Sequence, residues 1–334
     1  MRATRADVAK RAGVSVATVT YVLNGTCPVK EETRRKVLTA ARELCYVPDM
    51  RARSMATNRT MQLGVVVPSL MDPIDCEIIE SFIHTATENG YFVNVSMKGR
   101  HIRENIRHII SQHVDGVFLL ISPDDVEMDT IFTLSDSDIK VVAGMALSNE
   151  ADRGQASTVQ LDHRSAFTEA VNCLRHNGHK KIALCSNAHP DSHEYRILPY
   201  YRQIAARQTD AAVTFFIEDN PNVSAFEAGW KLSQTVDWKA GGYTAAIVSD
   251  DRMACAMIDQ LKAQGVSVPQ DVSVLSLNGA DTEEKAPVVT AIVSDYNAYA
   301  EKVFQVLQNA INGNTVEHCM QGFSLRMGNT VASV

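Results

Sequence analysis

From Met61 onward the chain repeats one grammar, and that repetition limits the fold more than any other feature. LGVVVPSL reads as a buried strand, CEIIESFIHTATENG as a helix and YFVNVSM as a strand. A helix near Arg103 to Gln112 and the strands DGVFLLIS and IKVVAGMA follow. The pattern restarts after residue 158: helix HRSAFTEAVNCLRHNG, strand KKIALCS, a helix around Tyr200 to Arg207, strand AAVTFFI, and a helix near Ala225 to Gln234. TAAIVSD, RMACAMIDQLKAQG and VSVLSLNG close it as strand, helix and strand. Strands alternating with helices require mainly parallel sheets covered on both faces. Two such halves predict a two-lobed α/β body.

The first sixty residues follow other rules. In TRADVAKRAGVSVATVTYVLN, Thr4 followed by Asp7 is a capping-box-like start, and Gly13 ends a first helix where a left-handed cap is cheapest. Ser15 caps a second helix whose Val19, Val22 and Leu23 repeat at buried-stripe spacing. Its other face carries Ala17, Thr20, Tyr21 and Asn24, with Val16 at the leading edge. Spacing alone fits an ordinary helical hairpin as well as a helix-turn-helix DNA reader. A third helix, from about Lys30 to Cys45, stacks Val37, Ala41 and Leu44 on one side and supplies Arg34, Arg35, Lys36 and Arg42.

Charge separates the two regions. Residues 1–59 hold twelve Lys or Arg against five acids, a net of +7, which leaves −14 for the rest of a chain whose total is −7. A basic head on an acidic body predicts that the head meets a polyanion and the body does not. Between them, PDMRARSMATNR (48–59) is rich in Arg and poor in large apolar residues, so alone it is a linker. Seven scattered cysteines without a CxxC fit reduced thiols. Without an apolar signal core at residues 1–12 or a run of membrane-span length, the expected location is the cytoplasm.

DVAKRAGVSVATVTYVLNG, followed by the ETRRKVLTAARELCYVPD stretch, closely resembles the head of the lactose/galactose repressor (LacI/GalR) family, without gaps through residue 60. Lys30 stands where that family has a small capping residue. The resemblance implies a three-helix helix-turn-helix domain at 1–46, a hinge at 47–60 and an effector-binding and dimerisation domain at 61–334 resembling periplasmic sugar-binding proteins. It places lobe 1 at about 61–158 and 293–319 and lobe 2 at about 159–292 and 320–334. It also implies that Val16, Ala17 and Tyr21 read base edges, and that Thr4, Asn24 and Tyr46 touch the DNA backbone. Thr18 belongs to the same DNA-contacting set. None of the three reading positions carries Arg, Gln or Asn for a bidentate base contact, so affinity should rest on phosphates and specificity on the hinge, shape or water. In the hinge, Met55 stands at the family's minor-groove wedge position, flanked by Arg51 and Arg53.

The same resemblance assigns an effector site at the strand ends between the lobes. RILPYYRQIAAR matches an R-x-x-G-[WY] segment, making Arg196 the effector arginine, with Pro199 replacing glycine. A guanidinium fork suits vicinal hydroxyls or a carboxylate. SDDRMA places Asp250 and Asp251 at or beneath the cleft, LSLNGAD places Asn278 there, and PSLMDP offers Asp72; Ser122 ends another strand. Each acid could equally be a helix cap or a solvated loop charge. His189 and His193 line or roof the cleft rather than bind metal. No metal or other cofactor is expected.

These features predict a DNA-binding transcriptional regulator, a repressor whose affinity for double-stranded operator DNA is set by a sugar-like effector. Two half-sites call for a homodimer, and no appended heptad helix suggests a tetramer. A transport-type binding protein shares the two-lobed fold but would have a signal peptide and no basic head. An enzyme is not expected, since P-loop, GxGxxG, GxSxG and HExxH motifs are all missing from the sequence.

Overall fold

The structure is a computed structural model. It describes residues 3–24, 27–47, 59–70, 72–98, 102–121, 129–145, 154–189, 192–207, 211–279, 288–313 and 315–334. The chain divides into two compact units, Met1–Thr60 and Met61–Val334.

The first unit contains three helices: α1 (Arg5–Ala12), α2 (Val16–Asn24) and α3 (Glu31–Glu43). Thr4 and Asp7 form the complete capping box, and Gly13 takes φ 70° to cap α1. Ser15 Oγ accepts from Thr18 N at 3.1 Å to start α2. Val8, Ala9, Val19, Val22, Val37, Ala40 and Ala41 make a small shared core. Lys30 gives α3 no side-chain cap.

The second unit holds two six-stranded sheets. In chain order the strands of the first are β1 (Gln62–Val67), β2 (Phe92–Met97), β3 (Gly116–Leu119), β4 (Lys140–Ala143), β5 (Ser157–Leu161) and β11 (His318–Gln321). The second contains β6 (Lys181–Asn187), β7 (Ala212–Glu218), β8 (Ala245–Val248), β9 (Ser273–Ser276), β10 (Thr290–Val293) and β12 (Ser324–Arg326). Spatial orders are β11-β5-β4-β3-β1-β2 and β12-β10-β9-β8-β6-β7. The β10–β12 pair is antiparallel; the other described pairings are parallel.

Helices cover both faces of each sheet. On the first, α4 (Pro73–Glu88) and α11 (Tyr296–Gly313) build a core around Phe82, Phe118 and Phe304. The opposite core draws on Ile106 and Ile109 from α5 (Ile102–Ser111) and on Ile131 and Leu134 from α6 (Asp129–Asp136). On the second sheet, α7 (His163–His176) and α8 (His193–Ala205) cover one face, and α9 (Ala225–Thr235) and α10 (Asp251–Ala263) the other.

Three details differ from the sequence reading. Strands β5 and β11 belong wholly to the first sheet and β10 wholly to the second, so the crossovers fall at 162, 294–295 and 322–323, a few residues from boundaries that cut through strands. The segment 129–136 is helical although no helix was expected there. Helix α8 is capped by Ser192, begins at His193, six residues before Pro199, and runs through that proline. Proline removes one helical hydrogen bond and crowds the preceding turn, so the sequence pattern predicts a helix only after it. Ser192 supplies the missing start signal, its Oγ accepting from Tyr195 N at 3.1 Å.

Helices α9 and α10 approach closely at Gly229, where a Cβ would lie 2.4 Å from the Met253 carbonyl oxygen. Gly229→Ala is expected to destabilise the second lobe by about 1–3 kcal/mol in urea unfolding; unchanged stability would mean that the helices do not pack this tightly.

Candidate functional site

In the head, burial of Val19 and Val22 turns the opposite side of α2 outward. Val16 is 47% and Tyr21 43% exposed, and Ala17 is exposed beside them. Thr20 Oγ1 donates to the Val16 carbonyl at 3.0 Å, and the Thr18 hydroxyl lies 2.9 Å from Ser15 Oγ, so both threonines are engaged locally. Thr4 is occupied in the capping box and Tyr46 packs partly buried against the core. Asn24 lies in the last turn of α2. Arg51, Arg53, Met55 and Ser122 lie outside the described residues. The exposed face of α2 is therefore apolar with one phenol hydroxyl, suited to groove contacts rather than to a solvated charge layer.

In the body, the ends of helices α4 and α8 meet between the lobes. Asp72 caps α4, its Oδ1 accepting from Ile74 N and Asp75 N at 3.0 and 3.3 Å. Its Oδ2 accepts from His193 N at 2.8 Å, so one carboxylate serves the N-termini of two helices from different lobes. One turn on, Asp75 (0% exposed) accepts two bonds from Arg196 Nη2 (side chain 4% exposed), at 2.7 and 3.0 Å. His193 Nδ1 lies 3.5 Å from the Asp75 carboxylate and 3.2 Å from Arg196 Nη2. Burial alone would push the Asp75 carboxyl up; His193 and Arg196 outweigh it and hold the group below the usual carboxylate range. His163 packs edge-on against His193, with ring centroids 5.0 Å apart. Burial, then the neighbouring His193 and Arg196, hold its pKa well down, so it is neutral at pH 7.

Two cavities flank the first turn of α8. The smaller, about 120 Å³, is lined by Arg196, His193 and His163 with Ile78, Leu120 and Tyr299. Arg196 Nε and Nη1 are buried there without a hydrogen-bond partner among the described residues. The larger, about 600 Å³, is lined by Asp72, Asn187, His189, Glu194, Ser249 and Asp250 among others. Asp250 caps α10 by accepting from Met253 N at 2.8 Å and pairs with Arg252 at 2.7 Å. Asp251 pairs with Arg326 at 3.2 Å, and Asn278 Oδ1 accepts from Tyr296 Oη at 2.8 Å; neither lines these two cavities.

Glu194 is the other buried acid. Ser186 Oγ approaches its carboxyl at 3.5 Å and Ser249 Oγ donates to Ser186 Oγ. Burial, then the charges of Asp72 and Asp250, push Glu194 up to about 8. It therefore presents a protonated carboxyl at neutral pH.

Sequence reasoning placed Arg196 and Asp72 at the cleft but missed Asp75, His163 and Glu194. Asp75 did carry a signal: it falls on the buried stripe of α4 with Ile78, Ile79 and Phe82, where a charge needs a partner.

A two-lobed α/β body with a polar interlobe cleft, preceded by a helix-turn-helix head, defines a ligand-responsive DNA-binding regulator. Residues 4–49 match bacterial regulatory proteins of the lacI family, and residues 171–324 match the periplasmic binding protein-like domain. The transcriptional repressor CytR of Escherichia coli K12 is 31% identical over 326 residues, covering 94% of this chain and 91% of that one. Catabolite control protein A of Priestia megaterium is 27% identical, covering 95% of each chain. A lac repressor dimer bound to operator and an anti-inducer has the same fold, with a TM-score of 0.78 at 23% identity over the whole of both chains. The chain belongs to the lacI family, whose members found here are transcriptional regulators rather than enzymes.

A buried acid with a raised pKa stabilises the fold below its unfolded value and loses that contribution as pH rises through the folded one. Stability is expected to fall on the order of 4 kcal/mol between pH 4.5 and about 8. Glu194→Gln should flatten that part of a urea-unfolding pH profile; identical slopes in both proteins would contradict the assignment.

Proposed function

We propose that the protein is a homodimeric transcriptional repressor whose operator affinity is set by a neutral sugar-like effector held between the lobes. The observation that carries the effector half is the buried Arg196, which lines a cavity at the lobe junction and keeps two donor nitrogens without a hydrogen-bond partner among the described residues. Arg196, Asp72, Asp250 and Ser122 contact the ligand in this reading, and Asp251 and Asn278 brace the walls behind them. Relatives of like fold bound to cellobiose, sucrose and glucose support a carbohydrate class.

Residues 1–46 act as the DNA-reading head, 47–60 as the hinge and 61–334 as the effector and dimer domain. Val16, Ala17, Thr18 and Tyr21 face the major groove; Thr4, Asn24 and Tyr46 meet the backbone; Arg51, Arg53 and Met55 serve the minor groove. The edge strand β2 leaves Phe92, Val95 and Met97 exposed, which suits coverage by a second copy. Effector binding shifts the lobe equilibrium through its different affinity for the two arrangements, and DNA binding responds by linkage.

DNA selected from a random pool should yield a two-fold-symmetric site whose affinity falls steeply with salt. Tyr21→Ala should lower that affinity about tenfold or more while sugar-induced thermal shifts persist. Selection of an asymmetric site, or a flat salt dependence, would count against the proposal.

A further inference from the structure

We propose that Asp75 sets the ligand class of the cleft: by neutralising Arg196 it admits uncharged, oxygen-rich ligands and rejects carboxylates and phosphates. This rests on reading the cleft as the effector site, and it decides between the hydroxyl and carboxylate partners that a guanidinium alone leaves open.

Asp75 takes Nη2 of Arg196 with both oxygens, while Nε and Nη1 stay buried without a partner among the described residues. A buried donor without an acceptor is costly, so a ligand supplying oxygens there gains more than one binding in water. Hydroxyl and carbonyl oxygens supply acceptors without adding charge. An anion would add a second negative charge beside Asp75 and compete with it for one guanidinium.

The remaining charges around the two cavities give an anion no better seat. In the smaller cavity Arg164 shares the wall with Asp162, stacks over Tyr200 and donates to Gln203 at 2.7 Å. The pKa of His163 is held well down by burial, then by its neighbours His193 and Arg196. In the larger cavity Arg252 is paired with Asp250, leaving Asp72 as an acid beside His189 and Glu194. Like-charge contact in so enclosed a site disfavours phosphate strongly.

The test follows inorganic phosphate by thermal shift at matched ionic strength, using the full chain as wild type, Asp75→Asn and Arg196→Gln. Wild type should gain no more from phosphate than Arg196→Gln does. Asp75→Asn, which leaves the guanidinium charged and unopposed, should show a saturable rise with at least roughly 100-fold higher apparent phosphate affinity than wild type. A saturable phosphate response in wild type that Arg196→Gln abolishes would overturn the inference while leaving the cleft reading intact. If Asp75→Asn does not fold, the wild-type comparison with Arg196→Gln decides alone. Operator binding that keeps its full response to a stabilising sugar in Arg196→Gln would instead sink the cleft reading.

Discussion

Everything at the centre of the body depends on two charges taken out of water together. Asp75 on α4 and Arg196 on α8 lie 121 residues apart in sequence, come from different lobes, and are both nearly fully buried. Each alone would be intolerable there; together they break roughly even against desolvation. The pair is therefore better understood as a device for geometry than as a source of stability. It fixes the guanidinium with Nε and Nη1 unpartnered among the described residues beside the small cavity, and it ties lobe separation to the parting of opposite charges. A regulator needs such an element, because a lobe movement without an energetic difference between its states could not be biased by a ligand.

Around that pair, carboxyls of similar intrinsic acidity are driven to different roles by their surroundings. Asp72 is stabilised by three backbone N–H groups on two helices. Asp75 is held ionised by His193 and Arg196 against its burial, whereas Glu194, which has serines and other acids for neighbours, is kept protonated. Around the start of α4 and the first turn of α8 the molecule thus gathers ionised carboxylates, a protonated carboxyl and a guanidinium with two unpartnered nitrogens among the described residues. That mixture matches hydroxyl groups, which both donate and accept. The basic surplus is confined to the first sixty residues, so the attraction to a polyanion and the interlobe cleft occupy separate regions of the chain.

Much of this was legible in the sequence because it follows from periodicity. Runs such as LGVVV and AAIVS could be buried strands, and the stripe Val8, Val19, Val22, Val37 could only be one small core. Caps were legible too: the alternative role kept open for the acids proved real for Asp72 and Asp250, which cap α4 and α10. What periodicity could not supply was partnership across the lobes. Asp75 was not singled out, since Arg196 lies 121 residues away in sequence. Pro199 hid the start of α8, and with it the fact that His193, Glu194 and Arg196 share one helical turn. The resemblance assigned Arg196 a ligand-binding role alone; the structure makes it half of a buried ion pair. Removal of that arginine therefore carries a folding cost that the sequence did not signal.

Whether the ion pair organises the cleft is decided by a double-mutant cycle between Asp75→Asn and Arg196→Gln, with stability read by urea unfolding of the full chain. If the two groups hold each other in the interior, each single change costs about 3–5 kcal/mol and the double variant is no less stable than either single one. Costs that simply add, leaving no coupling within about 0.5 kcal/mol, would show that the ion pair does not organise the cleft.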